Sequence, residues 1–333
     1  MNKKENKKQD KIMFYAIAAS LFVFGFFAGF LFKSFNPSNT LLFTQVRDKG
    51  YEYINPLIDF ESVESAGNKE LYKLEHTLQT YIDGIKGERI DSVSVYYKDL
   101  NSGAWIGIEE DEKFSPSSLF KVPVMITFYK IAEEDPSILE QKVVYKKENN
   151  IMKQNFSPEK YLEEGKEYTF DEIINQFIIY SDNTLIKTIE EKLPVDKQEL
   201  IYEELGITNP YNLGEGDTMS VKEYASFFRI LYNASYLNKD MSTKALKLLS
   251  QTSYTDGIKK GVPEDIKVSH KFGERDFDTD IGTKIYQLHD CGIVYHPTKP
   301  YLLCIMTRGN SFSLLEPKIS EISKIVYDIV NKN

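Results

Sequence analysis

The 21 residues from Ile12 to Phe32 carry no charged side chain, and a helix needs about 20 such residues to cross the hydrocarbon core of a bilayer. No other feature limits the chain's options as strongly. Lys3, Lys4, Lys7, Lys8 and Lys11 precede the run, and a basic flank on one side places the N-terminus in the cytoplasm. A cleaved signal peptide has an apolar core of about 7–15 residues followed by small residues. Here Ala16, Ala18 and Ala19 come early and Phe-rich sequence continues to Phe32, so an uncleaved anchor is favoured. Gly25 and Gly29 have the spacing of a helix-pairing motif, a common feature of such helices. No cysteine follows closely enough for a lipid anchor.

Charge divides the same way. Six lysines against Glu5 and Asp10 leave +4 on residues 1–33, and the total of −9 then puts −13 on the remainder. An acidic body lacks the basic face that a phosphate-backbone binder needs, so nucleic acid is not an expected partner. The expected organisation is a cytoplasmic tail 1–11, a membrane-spanning anchor 12–32, a linker or lead-in 33–64, and an extracytoplasmic domain 65–333.

Within that domain the periodicity changes several times. Leu71, Leu74, Leu78, Tyr81 and Ile82 recur at three- and four-residue spacing, which predicts an amphipathic helix over 68–85. Ser92–Leu100 and Ala104–Ile108 read as two strands joined at Asn101-Ser-Gly103, a hairpin. A helix opens at Ser117 or Ser118, with Pro123 in its first turn or so. Residues 120–260 are mainly helical in pattern, Tyr224–Leu231 most clearly. Strands return at 266–272, 292–295 and 301–307, and a helix from about Pro317 to Val330 closes the chain. Strands on both sides of a long helical insertion, with helices at both ends, predict an α+β domain. Its antiparallel sheet is covered by the terminal helices, and an all-α subdomain is inserted after the second strand.

The chemistry-bearing residues fall on this frame in order. Ser118-Leu-Phe-Lys121 and Ser157-Pro-Glu-Lys160 share a Ser-x-x-Lys pattern. Ser118 begins an apolar helix, where backbone N–H groups favour developing negative charge. Lys121 lies one turn later on the same face. Leu119, Phe120, Val122 and Val124 would desolvate its amine and depress its pKa, as a lysine base requires. Ser157 sits in polar sequence and reads as a helix cap. Ser181-Asp182-Asn183 follows the apolar run 173–180, and His270-Lys271-Phe272-Gly273 ends a strand. Each fragment alone is compatible with a cap, a turn or an edge-strand charge.

Together and in this order they resemble the serine β-lactamase and penicillin-binding-protein superfamily, whose signatures are Ser-x-x-Lys, Ser-Asp-Asn and Lys-Thr-Gly. The likeness is closest to class A β-lactamases and extends over about residues 68–332. It implies a three-layer α/β sandwich with a five-stranded antiparallel sheet, an all-α subdomain and an active site in the cleft between them. By position it makes Ser118 the acylated nucleophile and Lys121 a participant in proton abstraction. It makes Ser181 the proton relay, Asn183 a holder of substrate and Lys121, and Lys271 the positive charge facing a substrate carboxylate. The oxyanion would lie between the backbone N–H groups of Ser118 and of Glu274, the residue after Gly273.

Two departures stand out. Phe272 replaces the family's Thr or Ser, which predicts altered or weakened β-lactam affinity. Between Asn183 and Asp217 there is no Glu-x-x-Leu-Asn segment to activate a deacylating water; Glu204, Glu215 and Asp217 lack its flanking pattern. Three functions follow as expectations: a β-lactamase-type hydrolase, a D,D-peptidase acting on peptidoglycan stem peptides, or an inactive wall-binding module. No cofactor is expected. His289, Cys291 and His296 do not make a convincing metal set. Cys291 and Cys304 lie nearly opposite on neighbouring strands as packed thiols or a disulfide, and either Arg275 or Arg308 is placed to orient a carboxylate.

Overall fold

The computed structural model describes residues 42–47, 50–63, 69–87, 89–147, 154–210, 216, 218–279 and 282–332. The expected tail 1–11 and anchor 12–32 lie outside the described residues. Among the described residues no helix is long and apolar enough to cross a membrane. Chain contacts divide the protein into two units, residues 1–42 with 62–67, and residues 43–61 with 68–333. The second unit holds every residue picked out by the Ser-x-x-Lys, Ser-Asp-Asn and Lys-Phe-Gly motifs.

The centre of that unit is a five-stranded antiparallel sheet in the order β4-β3-β9-β8-β7, formed by β3 (Ile90–Asp99), β4 (Trp105–Ile108), β7 (Val268–Asp278), β8 (Lys284–Val294) and β9 (Tyr301–Gly309). Alternation along β9 shows how the sheet is sandwiched. Tyr301, Leu303 and Ile305 enter one apolar core, Leu302, Cys304 and Met306 the other, as a period of two requires. The first core is closed by α1 (Lys69–Ile85), through Leu74, Leu78 and Ile82, and by the C-terminal helix α9 (Phe312–Asn331), through Ile319, Ile322 and Val326. The second is shared with the helical insertion: α2 (Lys121–Glu134), α3 (Ser137–Glu140), α4 (Phe170–Ile179), α5 (Ile186–Glu190), α6 (Val195–Leu205), α7 (Val221–Asn233) and α8 (Lys239–Leu249). A short ribbon of β5 (Lys142–Val144) and β6 (Glu167–Thr169) interrupts the insertion. Helix starts are written locally: Thr169 with Glu172 and Ser220 with Glu223 form capping boxes at α4 and α7. The three-layer α/β sandwich with an inserted helical subdomain is therefore the observed architecture.

Three expectations change. The stretch 33–64 contains β1 (Leu42–Arg47) and β2 (Leu57–Val63), paired with one another. Between them Tyr53 and Ile54 are buried in the core, and the Asn55 amide donates to the Tyr232 carbonyl at 2.7 Å. Six or seven residues of weak alternation gave no signal in the sequence. Strand β8 begins eight residues ahead of Gly292, because Gln287, His289 and Asp290 interrupt its apolar pattern while being fully buried and bonded inside the fold. Helix α9 starts five residues before Pro317, which sits inside it at the cost of one backbone hydrogen bond.

Cys291 and Cys304 face each other across β8 and β9 and form a disulfide, resolving the pair left open by sequence. They are 13 residues apart, and closing a loop of that size stabilises a fold by about 3 kcal/mol on the chain-entropy account. We expect the double variant C291A/C304A to lose about that much in denaturant unfolding. Equal stability would show that the crosslink contributes nothing.

Candidate active site

The serine turn is held from behind. Ser115 is clamped on β8: its amide donates to Gln287 Oε1 at 2.9 Å, and its carbonyl accepts from His289 Nε2 at 3.1 Å. His289 Nδ1 takes the Thr307 amide at 3.3 Å, so one nitrogen donates and the other accepts, which requires a neutral ring. Burial agrees, pushing this imidazole down to about 3. Arg275 adds a bond to Ser115 Oγ at 3.2 Å, and Arg308 lies over the Phe114 ring, bonded to Glu112 and the Lys113 carbonyl.

From that clamp the chain turns through Ser117, whose φ of 48° is left-handed and strained for a residue with a side chain. A 3-10 helix over Ser117–Phe120 then runs straight into α2. Ser118 is half-buried on this turn, and its carbonyl accepts the Lys121 amide. Gly273 on the edge strand β7 lies directly against it. A Cβ added there would fall 3.0 Å from the Pro116 carbonyl oxygen and 3.2 Å from the Leu119 amide nitrogen, so glycine is what lets β7 approach the serine turn this closely.

Two lysines converge on one serine. Lys121 and Lys271 are both fully buried. Lys121 Nζ donates to the Ser181 carbonyl at 2.5 Å, to Asn183 Oδ1 at 2.7 Å and to Ser181 Oγ at 3.3 Å, with the Phe177 ring 4.7 Å away. Lys271 Nζ donates to Ser181 Oγ at 2.8 Å and to the Phe272 carbonyl at 3.0 Å. Ser118 Oγ is not among the partners of Lys121, whose amine is aimed at the Ser181–Asn183 loop. Desolvation holds Lys121 well below the ordinary lysine range, and the nearby positive charge of Lys271 adds to the effect. Desolvation also lowers Lys271, to about 7, against the opposing pull of Asp290 and Glu274.

Local structure explains how Ser181 comes to face both amines. The apolar face of α4 is buried in the helical core, and at its end Ser181 adopts a φ of 54°. Asp182 then caps the next turn, accepting the Thr184 amide at 2.9 Å and hydroxyl at 2.6 Å, while Gln176 donates to its other oxygen at 3.1 Å. Beneath Lys271, His270 Nδ1 pairs with Asp290 at 2.8 Å, and Asp290 also accepts the Ile258 amide at 2.8 Å.

Lys121, Ser181, Asn183 and Lys271 are thus joined by direct bonds, with Ser118 one turn ahead of Lys121 and Gly273 against its turn. Phe272 is buried and stacked on Tyr254, ring centres 4.3 Å apart, so an aromatic pair stands where a hydroxyl was the family expectation. Ser157 is exposed and outside any helix, correcting its reading as a cap; Lys160 is exposed too. Glu204 is exposed beside Tyr236, while Glu215 and Asp217 lie outside the described residues. Cys291 is consumed by the disulfide, and His296 holds the turn at Thr298 and Lys299. Among the described residues no three His, Cys, Asp or Glu side chains gather as a metal site.

Gln154 and Asn155 carry no motif, yet both are bonded at the site. Gln154 Nε2 donates to the Ser181 carbonyl at 3.0 Å and its Oε1 accepts the Asn183 amide at 3.3 Å. Asn155 bonds Glu274 through its amide and its side chain, both at 2.6 Å, and Asp276 at 2.7 Å. Asp290 and the Gln287–His289 clamp were likewise missed, although polar residues inside a strand that otherwise reads as buried were a usable signal.

The beta-lactamase enzyme family model matches residues 73–330. Among solved structures the chain is similar to a PBP-A mutant in its acyl-enzyme complex with penicillin G, at 21% identity, a TM-score of 0.63, and coverage of 79% of this chain and 98% of that one. It is similar also to a class A beta-lactamase from Bacteroides cellulosilyticus (20%, TM-score 0.66, coverage 79% and 99%) and to the TLA-3 extended-spectrum beta-lactamase (19%, TM-score 0.66, coverage 78% and 99%). None of the curated proteins compared with the chain matches it. At these identities the solved structures establish the fold, and the family model spans most of the sequence. The chain therefore belongs to the beta-lactamase enzyme family.

Proposed function

We propose that this protein is a membrane-anchored, extracytoplasmic serine hydrolase that forms an acyl-enzyme on Ser118 with β-lactams or related amides. The observation that carries the reading is the pair of fully buried lysines sharing Ser181 Oγ beside the Ser118 turn. An ammonium at Lys121 has three protons for three acceptors. A neutral amine keeps two donors, for the Ser181 carbonyl and Asn183, and gains a lone pair that can take the Ser118 hydroxyl proton.

In that reading Ser118 Oγ bonds to the substrate carbonyl carbon as its proton passes to Lys121. The oxyanion that forms accepts from the backbone N–H groups of Ser118 and Glu274. The carbon–nitrogen bond then breaks, and the leaving nitrogen takes the Ser181 hydroxyl proton, which Lys121 returns. Lys271 in its charged form faces the substrate carboxylate. Phe272 offers that carboxylate no hydroxyl, which supports weakened binding of ordinary β-lactams. Anchoring rests on residues 12–32 and the lysines before them; the Cys291–Cys304 disulfide is in keeping with an oxidising compartment.

A second reading, a D,D-peptidase for peptidoglycan stem peptides, shares every step up to the acyl-enzyme. The missing Glu-x-x-Leu-Asn segment favours it, since water activation is then left without that carboxylate. An inactive wall-binding module would have no need of two buried amines. Incubating the full chain with a fluorescent penicillin and a chromogenic cephalosporin separates the three. Cephalosporin turnover lost in S118A supports a β-lactamase, and a stable label without turnover supports the peptidase. Absence of both, with S118A identical to wild type, rules out acylation.

A further inference from the structure

Lys271 is fully buried, yet the proposed reaction needs a substrate carboxylate to reach it, so something must move. The segment Gln154–Phe156 bridges the two elements that carry Ser181 and Lys271. Gln154 ties it to the Ser181–Asn183 loop of the helical subdomain, and Asn155 ties it to Glu274 and Asp276 on β7 of the sheet. Phe156 then seals the seam: its amide reaches Glu274 at 3.3 Å, and its ring meets Tyr254, Phe272 and Phe312 edge-on at 5.2–6.0 Å.

We propose that Gln154–Phe156 is a latch, closed by Asn155 on the carboxylates of Glu274 and Asp276, and that acylation of Ser118 waits on its opening. The two anchors differ in kind. Gln154 bonds backbone groups of the very loop that presents Ser181, so it can stay attached while the other end swings. Asn155 spends its donors on two carboxylates lining the strand along which substrate would lie, and those bonds must break to admit a substrate beside Glu274. Asn155 is therefore a positioning residue that controls entry and touches no reacting atom.

The gating of acylation rests on the reading of Ser118 as the nucleophile, so the test pairs a chemical with a non-chemical measurement on the full chain in detergent. Asn155→Ala removes the side-chain bonds. Asn155→Asp keeps the volume but faces Glu274 and Asp276 with a third carboxylate. Both variants are expected to speed labelling of Ser118 by a fluorescent penicillin by about a hundredfold, the effect of losing the two side-chain hydrogen bonds to charged acceptors at about tenfold each. Both are also expected to speed amide hydrogen exchange at 154–156 and along 271–276 while leaving α1 unchanged. Faster exchange with no label on any form would keep the latch and overturn the acylation reading. Unchanged exchange, or a labelling rate equal to or below wild type in a protein that does label, would overturn the latch.

Discussion

Lys121→Ala is expected to lower the rate of Ser118 acylation by about 10³-fold, the scale of losing a positioned general base. Lys121 is the amine whose burial and whose neighbour Lys271 both favour the neutral form, and it lies one turn from Ser118 on a continuous helical path. Lys160→Ala, in the competing Ser-x-x-Lys pattern, is expected to leave the rate unchanged, because that lysine is exposed and its serine caps nothing. The second-order rate constant of penicillin labelling measures both. Equal losses in the two variants would mean that the wrong serine has been identified, and no loss in either would remove lysine from the mechanism.

Lys271→Met is expected to lower acylation by about 10²-fold through loss of the charge facing the substrate carboxylate, and yet to stabilise the fold. A lysine whose pKa falls from 10.5 in the unfolded chain to about 7 when folded carries a penalty approaching about 5 kcal/mol at full strength. Replacing such a group with an apolar side chain of similar volume removes that penalty. The sign with pH is fixed. Between about 7 and 10.5 the unfolded chain holds a proton that the folded chain does not, so wild-type stability rises with pH across that window. The advantage of Lys271→Met is therefore largest below about pH 7 and shrinks towards pH 10.5. The same titration makes wild-type acylation fall as pH rises through about 7, when Lys271 loses its charge. A methionine variant less stable than wild type at pH 6 would show that Lys271 holds the fold together and is not strained within it.

The sequence disclosed those parts of the molecule whose causes are local. Tyr224–Leu231 reads as a helix and Tyr301–Thr307 as a strand from short-range pattern alone, and both lie inside observed elements. The four residues of the site that bond directly, Lys121, Ser181, Asn183 and Lys271, were each picked from short motifs. What stayed hidden depends on partners far along the chain. Gln287 and His289 read as interruptions of a strand until Ser115, more than 170 residues away, is seen between them. Asn155 is an ordinary polar residue until Glu274 and Asp276 arrive opposite it. Phe272 looked like a lost hydroxyl; in the fold it is one face of a stacked pair with Tyr254. The left-handed backbone at Ser117 and Ser181 had no sequence signal, since neither is glycine or asparagine.

Peptide mapping by mass spectrometry, after the full chain has been exposed to benzylpenicillin and quenched in acid, tests the central claim most directly. The account predicts one penicilloyl adduct, on the peptide carrying Ser118, absent from Lys121→Ala and present in Lys160→Ala. An adduct on Ser157 or Ser181 in its place, or an unmodified Ser118 in protein that does acquire the penicilloyl mass, would contradict it.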